Sequence, residues 1–258
     1  MQNYLSRNQQ DFLRQIVTLM AIIIAFIVNV ASNIFPLNGL NIGEISNTLF
    51  KEVLIIPANY AFIIWGLIYL GLFAFGIYQV LPAQKNDPDL RKTSYLLVVA
   101  CTAQSIWVYL FLSRWFALSV VAMLFILLPL IAIYLLLGIG NTSVSRSKRW
   151  CVHYPIGIYL GWISVATVVN VACALAAQNW QGWRLSAEVW TVSLVFIATA
   201  ISIAIIRQSS DITYTGVTIW ALVAIAVKNG DNLVIKVVAL LCAITLLGIV
   251  LGRRGMER

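Results

Sequence analysis

Charge is scarce in this 258-residue sequence: 10% of its residues are Asp, Glu, Lys or Arg, and there is a single histidine, His153. All nine acidic residues (Asp11, Glu44, Glu52, Asp87, Asp89, Glu188, Asp211, Asp231, Glu257) fall between the apolar runs or at their ends. No carboxylate therefore stands at mid-membrane depth, where ion-coupled transporters keep one. That argues against an ion-coupled pump, though not against a facilitator. His153 opens one of the runs, a place where a lone histidine reads as a solvated cap or anchor rather than a haem ligand. The four cysteines (Cys101, Cys151, Cys173, Cys242) are scattered without CxxC spacing, so neither a disulfide framework nor a zinc site is indicated. Also missing are a paired-histidine cluster, a Ser/His/Asp set and a phosphate-binding glycine loop. The expectation is a protein that is not an enzyme and holds no metal.

What fills the chain instead is apolar. Hydrophobic residues make up 61% of it, and the mean hydropathy is +0.92. Apolar runs at about 12–35, 60–81, 93–112, 115–139, 154–177, 187–206, 212–227 and 233–251 approach the ~20 residues a helix needs to cross a bilayer. The fold class is all-α, a polytopic membrane bundle of about eight transmembrane helices. A barrel is excluded because the runs are continuous rather than alternating. The end of the first run, Asn29 to Asn33, makes a poor cleavage site, so this run reads as a retained span.

The net charge of +8 is a matter of topology rather than of nucleic-acid binding. With eight spans, twelve basic residues (Arg7, Arg14, Lys85, Arg91, Lys92, Arg146, Lys148, Arg149, Arg207, Arg253, Arg254, Arg258) collect on the amino-terminal side, against four (Lys51, Arg114, Arg184, Lys228) opposite. The positive-inside rule then places both termini in the cytoplasm, as in a bacterial inner membrane or its equivalent.

Three runs carry aromatic faces at helical spacing. Tyr159, Trp162, Ala166, Asn170, Cys173 and Ala177 share one, Trp65, Tyr69, Phe73 and Gly76 a second, and Ala100, Gln104, Trp107 and Phe111 a third. Lipid offers an indole N–H or a carboxamide no partner, so these faces point into protein or towards a ligand. Two readings stand: helix–helix seams with Asn170 as polar glue, or walls of a cavity for a flat, largely apolar ligand.

The segment Pro57-Ala-Asn-Tyr60-Ala-Phe-Ile-Ile-Trp65-Gly-Leu-Ile-Tyr69 resembles the second-helix entrance of the TspO/MBR family, the tryptophan-rich sensory proteins. Gln104-Ser-Ile-Trp107-Val-Tyr-Leu-Phe111 is similar to its third helix, and Tyr159-Leu-Gly-Trp162-Ile-Ser-Val-Ala166-Thr-Val-Val-Asn170 to its fifth. The family's tryptophan-proline-proline signature is reduced here to Pro57, and its fifth-helix proline stands at Pro155. The likeness covers about 12–177, so residues 1–177 read as a five-helix core and 178–258 as a three-helix extension.

The resemblance implies a ligand-binding membrane sensor or carrier. The family binds tetrapyrroles, and in some members sterols, under its first extramembrane loop. Carried over, Trp65, Tyr69, Gln104, Trp107, Phe111, Tyr159, Trp162, Ala166 and Asn170 line or brace that pocket, while Tyr60 and the loop from Pro36 to Pro57 form its lid. It further implies a tetrapyrrole, sterol or isoprenoid lipid as ligand, no required cofactor, lipid as surroundings and a homodimer. The alternatives are an assembly partner within a larger membrane complex, docking through the last three helices, or an enzyme of tetrapyrrole turnover that uses His153.

Overall fold

The computed structural model describes residues 7–180, 182–209 and 211–256, with side chains up to Arg253. Glu257 and Arg258, and the side chain of Arg254, lie outside the described residues. Helices are the regular secondary structure of the described residues, which contain no strand. Their order is α1 (Arg7–Ile34), α2 (Ile42–Thr48), α3 (Ile64–Val80), α4 (Pro88–Leu112), α5 (Phe116–Leu136), α6 (Arg146–Lys148), α7 (Tyr154–Ala177), α8 (Ala187–Ser209), α9 (Ile212–Lys228) and α10 (Leu233–Met256). Seven helical segments among the described residues are long and apolar enough to cross a bilayer. The eighth apolar helix, α9, has 17 residues and rises about 26 Å, close to a bilayer's hydrocarbon thickness.

Local chemistry sets the ends. Asp87 caps α4, accepting from the Asp89 N–H at 2.8 Å, with Pro88 at the first helical position. This starts α4 five residues before the apolar run. Inside the loop expected to act as a lid, Asn41 and Glu44 form a capping box that nucleates α2. One π turn, Arg149–His153, leads into α7.

Helices α1, α4, α5, α7 and α3 pack successively into a closed ring around a continuous apolar core. Polar pairs staple the amino-terminal end of that ring. Arg91 pairs with Asp11, Arg14 donates to Ser94 Oγ at 3.2 Å, and Lys148 Nζ lies 2.8 Å from Asp87 and 2.6 Å from Asp89. Beyond the ring, α9 packs on α7, while α10 and α8 pack on α9. Helix α9 serves two cores: Tyr214, Val217 and Ala224 join the ring's core, whereas Leu222, Ile225 and Ala226 pack with Val195, Ala239 and Leu246.

Two glycines on α7 allow that junction. A Cβ on Gly157 would lie 2.1 Å from Thr213 Oγ1, and one on Gly161 would lie 3.0 Å from Val217 Cβ. Small residues four apart let two membrane helices approach closely, where lipid tails supply no hydrophobic drive.

Candidate ligand-binding site

At the end of the bundle opposite the amino terminus, α2 roofs a cavity of about 380 Å³. Its floor and walls come from the end of α1, from the turn preceding α3 and from the first turn of α3. The polar lining is Asn29, Asn33, Asn41 and Asn59, with Glu44 at the rim, and the rings are Phe62 and Trp65. Asn29 is 8% exposed, and its carboxamide makes no side-chain hydrogen bond among the described residues; only its backbone carbonyl accepts, from Ser32 and Asn33. A carboxamide without a protein partner on the lining of the cavity is free to bond whatever enters. Glu44 is engaged already, accepting from the Asn41 N–H at 2.7 Å. Asn47 closes the roof, donating to Gly43 O at 2.6 Å and to Asn59 Oδ1.

Below this cavity the aromatic faces meet one another. Tyr159 donates to Gln104 Oε1, Gln104 Nε2 donates to the Tyr69 hydroxyl, and Tyr69 donates to the Ala25 carbonyl at 3.0 Å. One chain of hydrogen bonds thus ties α7, α4, α3 and α1. A second ties α4, α7 and α5: Trp107 Nε1 donates to Asn170 Oδ1 at 2.5 Å, and Asn170 Nδ2 donates to Ser119 Oγ at 2.8 Å. Phe111 stacks on Trp107 with centroids 5.3 Å apart. Trp162 meets Phe62 edge to face at 5.9 Å, and Ala166 packs against the same core.

Of the ten residues expected at the site, Trp65 borders this cavity. Its indole stacks on Tyr69 at 5.9 Å and meets Tyr159 at 6.2 Å, so it joins the cavity to the braced interior. Tyr69, Gln104, Trp107, Phe111, Tyr159, Trp162 and Asn170 are buried, tied by these hydrogen bonds and ring contacts, and do not line this cavity. Tyr60 turns away from the cavity, its ring 5.2 Å from Trp220 of α9, which donates to Ala61 O at 3.1 Å. Sequence reasoning missed Asn29, Asn33, Asn59 and Phe62. The available signal was the pair of asparagines four apart at the end of the first run, which helical spacing puts on one face.

A family model described as TSPO-like protein matches residues 15–252. No curated protein and no solved structure matches the chain.

Proposed function

The chain belongs to the TSPO-like protein family, and on that premise we propose that it is a membrane-embedded ligand-binding protein, a sensor or carrier, whose ligand occupies the cavity under α2. The observation that carries this reading is the unpartnered Asn29 carboxamide facing a space walled by Phe62 and Trp65. Rings on one wall and amide donors on the others suit a flat molecule with an apolar body and polar edges. A tetrapyrrole with carboxylate side chains has that character, and carboxamide N–H groups would receive the carboxylates. A sterol or isoprenoid, apolar over nearly all its surface, would leave the asparagines unpaired, which costs binding. The tetrapyrrole reading is therefore the stronger of the two.

In this proposal the two buried hydrogen-bond chains brace the cavity rather than touch the ligand. Both termini lie on the cytoplasmic side, following the basic loops, and the cavity opens on the other side. Titrating the purified protein with a porphyrin should give saturable quenching of tryptophan fluorescence, weakened when Asn29 or Trp65 is replaced. A titration indifferent to both replacements would remove the cavity from the mechanism.

A further inference from the structure

Helix α8 packs on α9 and α10, and α9 packs in turn on α7, so α7 and α8 stand apart with α9 behind them. The space between them is a cleft of about 710 Å³, and none of its lining residues borders the cavity under α2. Its walls are mainly apolar: Val171 and Leu175 of α7, Leu194 of α8, and residues 53–55 of the chain between α2 and α3. The cleft follows α7 from Thr167 to Ala176, about 14 Å of helix. At Ile55, Val168 and Leu194 it adjoins a narrower pocket of about 50 Å³, which reaches Ser164 on α7 and Ile201 on α8. A long apolar slot of this shape accommodates an alkyl chain. Lipid tails offer a chain equally apolar surroundings, so selectivity must come from the mouth.

The mouth carries three indoles and a carboxylate. Trp180, Trp183 and Trp190 border it, their ring centroids 5.2–5.7 Å apart. Trp190 is fixed, its Nε1–H donating to Gly182 O at 2.8 Å. Gly182, at φ +60°, permits this approach, because a Cβ there would lie 2.9 Å from that nitrogen. Trp183 is 77% exposed, leaving ring surface open, and tryptophans beyond a helix end sit at head-group level. Glu52 also borders the cleft and makes no ion pair among the described residues, whose salt bridges use Asp11, Asp87 and Asp89. It is the charged side chain of the described lining; neither Lys51 nor Arg184 belongs to it. Indole faces attract cations, and a carboxylate adds attraction of the same sign. An anionic head group would be repelled by both, and a neutral one would gain from neither.

We propose that the cleft between α7 and α8 binds a single-chain amphiphile with a cationic ammonium head, the chain lying against Val171 and Leu194 and the head held at Glu52 and the three indoles.

The test is calorimetric titration of the full-length protein in maltoside micelles, with empty micelles as the blank. Dodecyltrimethylammonium should bind about tenfold more tightly than dodecyldimethylamine N-oxide, which has the same chain but no net charge above neutral pH. Roughly threefold of this comes from the carboxylate and threefold from the rings. Glu52→Gln and Trp183→Leu, both at exposed positions, should each cut the preference to about threefold, and the double variant should erase it. Val171→Trp, which fills the cleft from a partly exposed position, should abolish binding of both amphiphiles. Asn29→Leu and Trp65→Ala, at the other cavity, should change neither affinity. Equal binding of the two amphiphiles by the unaltered protein would make the cleft a seat for any lipid chain and overturn the proposal. Self-association abolished by Val171→Trp, with amphiphile binding intact, would assign the cleft to a second copy of the chain and overturn it too.

Discussion

The indole N–H of Trp107 donates to the Asn170 carboxamide oxygen at 2.5 Å, and the same carboxamide donates onward to Ser119 at 2.8 Å. A polar residue deep in an apolar helix thus has both ends satisfied by two other helices, which makes it a structural cross-tie. Asn170→Leu should lower the thermal stability of the detergent-solubilised protein. A double-mutant cycle with Trp107→Phe should give a coupling of about 0.6–1.7 kcal/mol, the range for such bonds between membrane helices. Ligand affinity should hold, because neither residue borders the cavity under α2.

Asn29 behaves oppositely. Its side chain makes no hydrogen bond among the described residues, so Asn29→Leu should leave the melting temperature unchanged or raise it. Porphyrin affinity should fall about tenfold or more, as expected when a ligand's polar group loses its buried donor. Fluorescence titration beside thermal melts separates the two effects.

Trp65 and Trp162 share a residue type and the same apparent depth in sequence, yet they should respond differently. Trp65→Ala removes a ring from the cavity wall and should weaken porphyrin binding by about 0.5–1.5 kcal/mol beyond the lost contact area. Trp162→Phe, buried against Phe62 below the cavity, should leave the titration as it was. Equal losses in both variants would mean that the ligand reaches deeper than α2's roof.

That contrast shows where the sequence was legible. The 3.6-residue period placed Tyr159, Trp162 and Asn170 on one buried face, and the structure has them so. The period could not say what each face meets. Ser119 and the Ala25 carbonyl, which complete the two hydrogen-bond chains, belong to helices whose faces carry no aromatic signal. The cavity escaped notice because most of its walls are loop elements and helix ends; the spacing of Asn29 and Asn33 marks one face but not the loop that roofs it. The Asn41–Glu44 capping box inside the lid loop was readable as a helix start. The start of α4 was readable too, from Asp87 and Pro88, although hydropathy alone put it at 93.

The seam between α7 and α9 rests on missing side chains. Gly157→Val would drive a branched side chain into Thr213 Oγ1, which stands 2.1 Å from an ideal Cβ. Overpacking of this kind costs about 1–3 kcal/mol, and here it also pushes α9 off the ring's core. The variant should yield less monodisperse protein on size exclusion. Gly216→Ala, on the partner helix α9 but with open space at its Cβ, should be neutral.

The Asp87–Lys148 contact gives a sign for acid stability. Burial raises the Asp87 carboxyl, but the hydrogen bond from the Lys148 ammonium, followed by those from the Asp89 and Leu90 N–H groups, outweighs it and holds the group below the usual carboxylate range. A carboxyl depressed in the folded state contributes stability that is complete above its unfolded value, about pH 4. The contribution is lost as pH falls through the lower folded value. The melting temperature should therefore decline below about pH 4, as the tie between α4 and the approach to α7 is released. Asp87→Asn keeps an N-cap side chain but has no proton to gain in that window, so its acid decline should be shallower. The decline should not vanish, because Asp11 still pairs with Arg91. An identical pH profile for Asp87→Asn would mean that the Asp87–Lys148 contact contributes nothing to the acid transition.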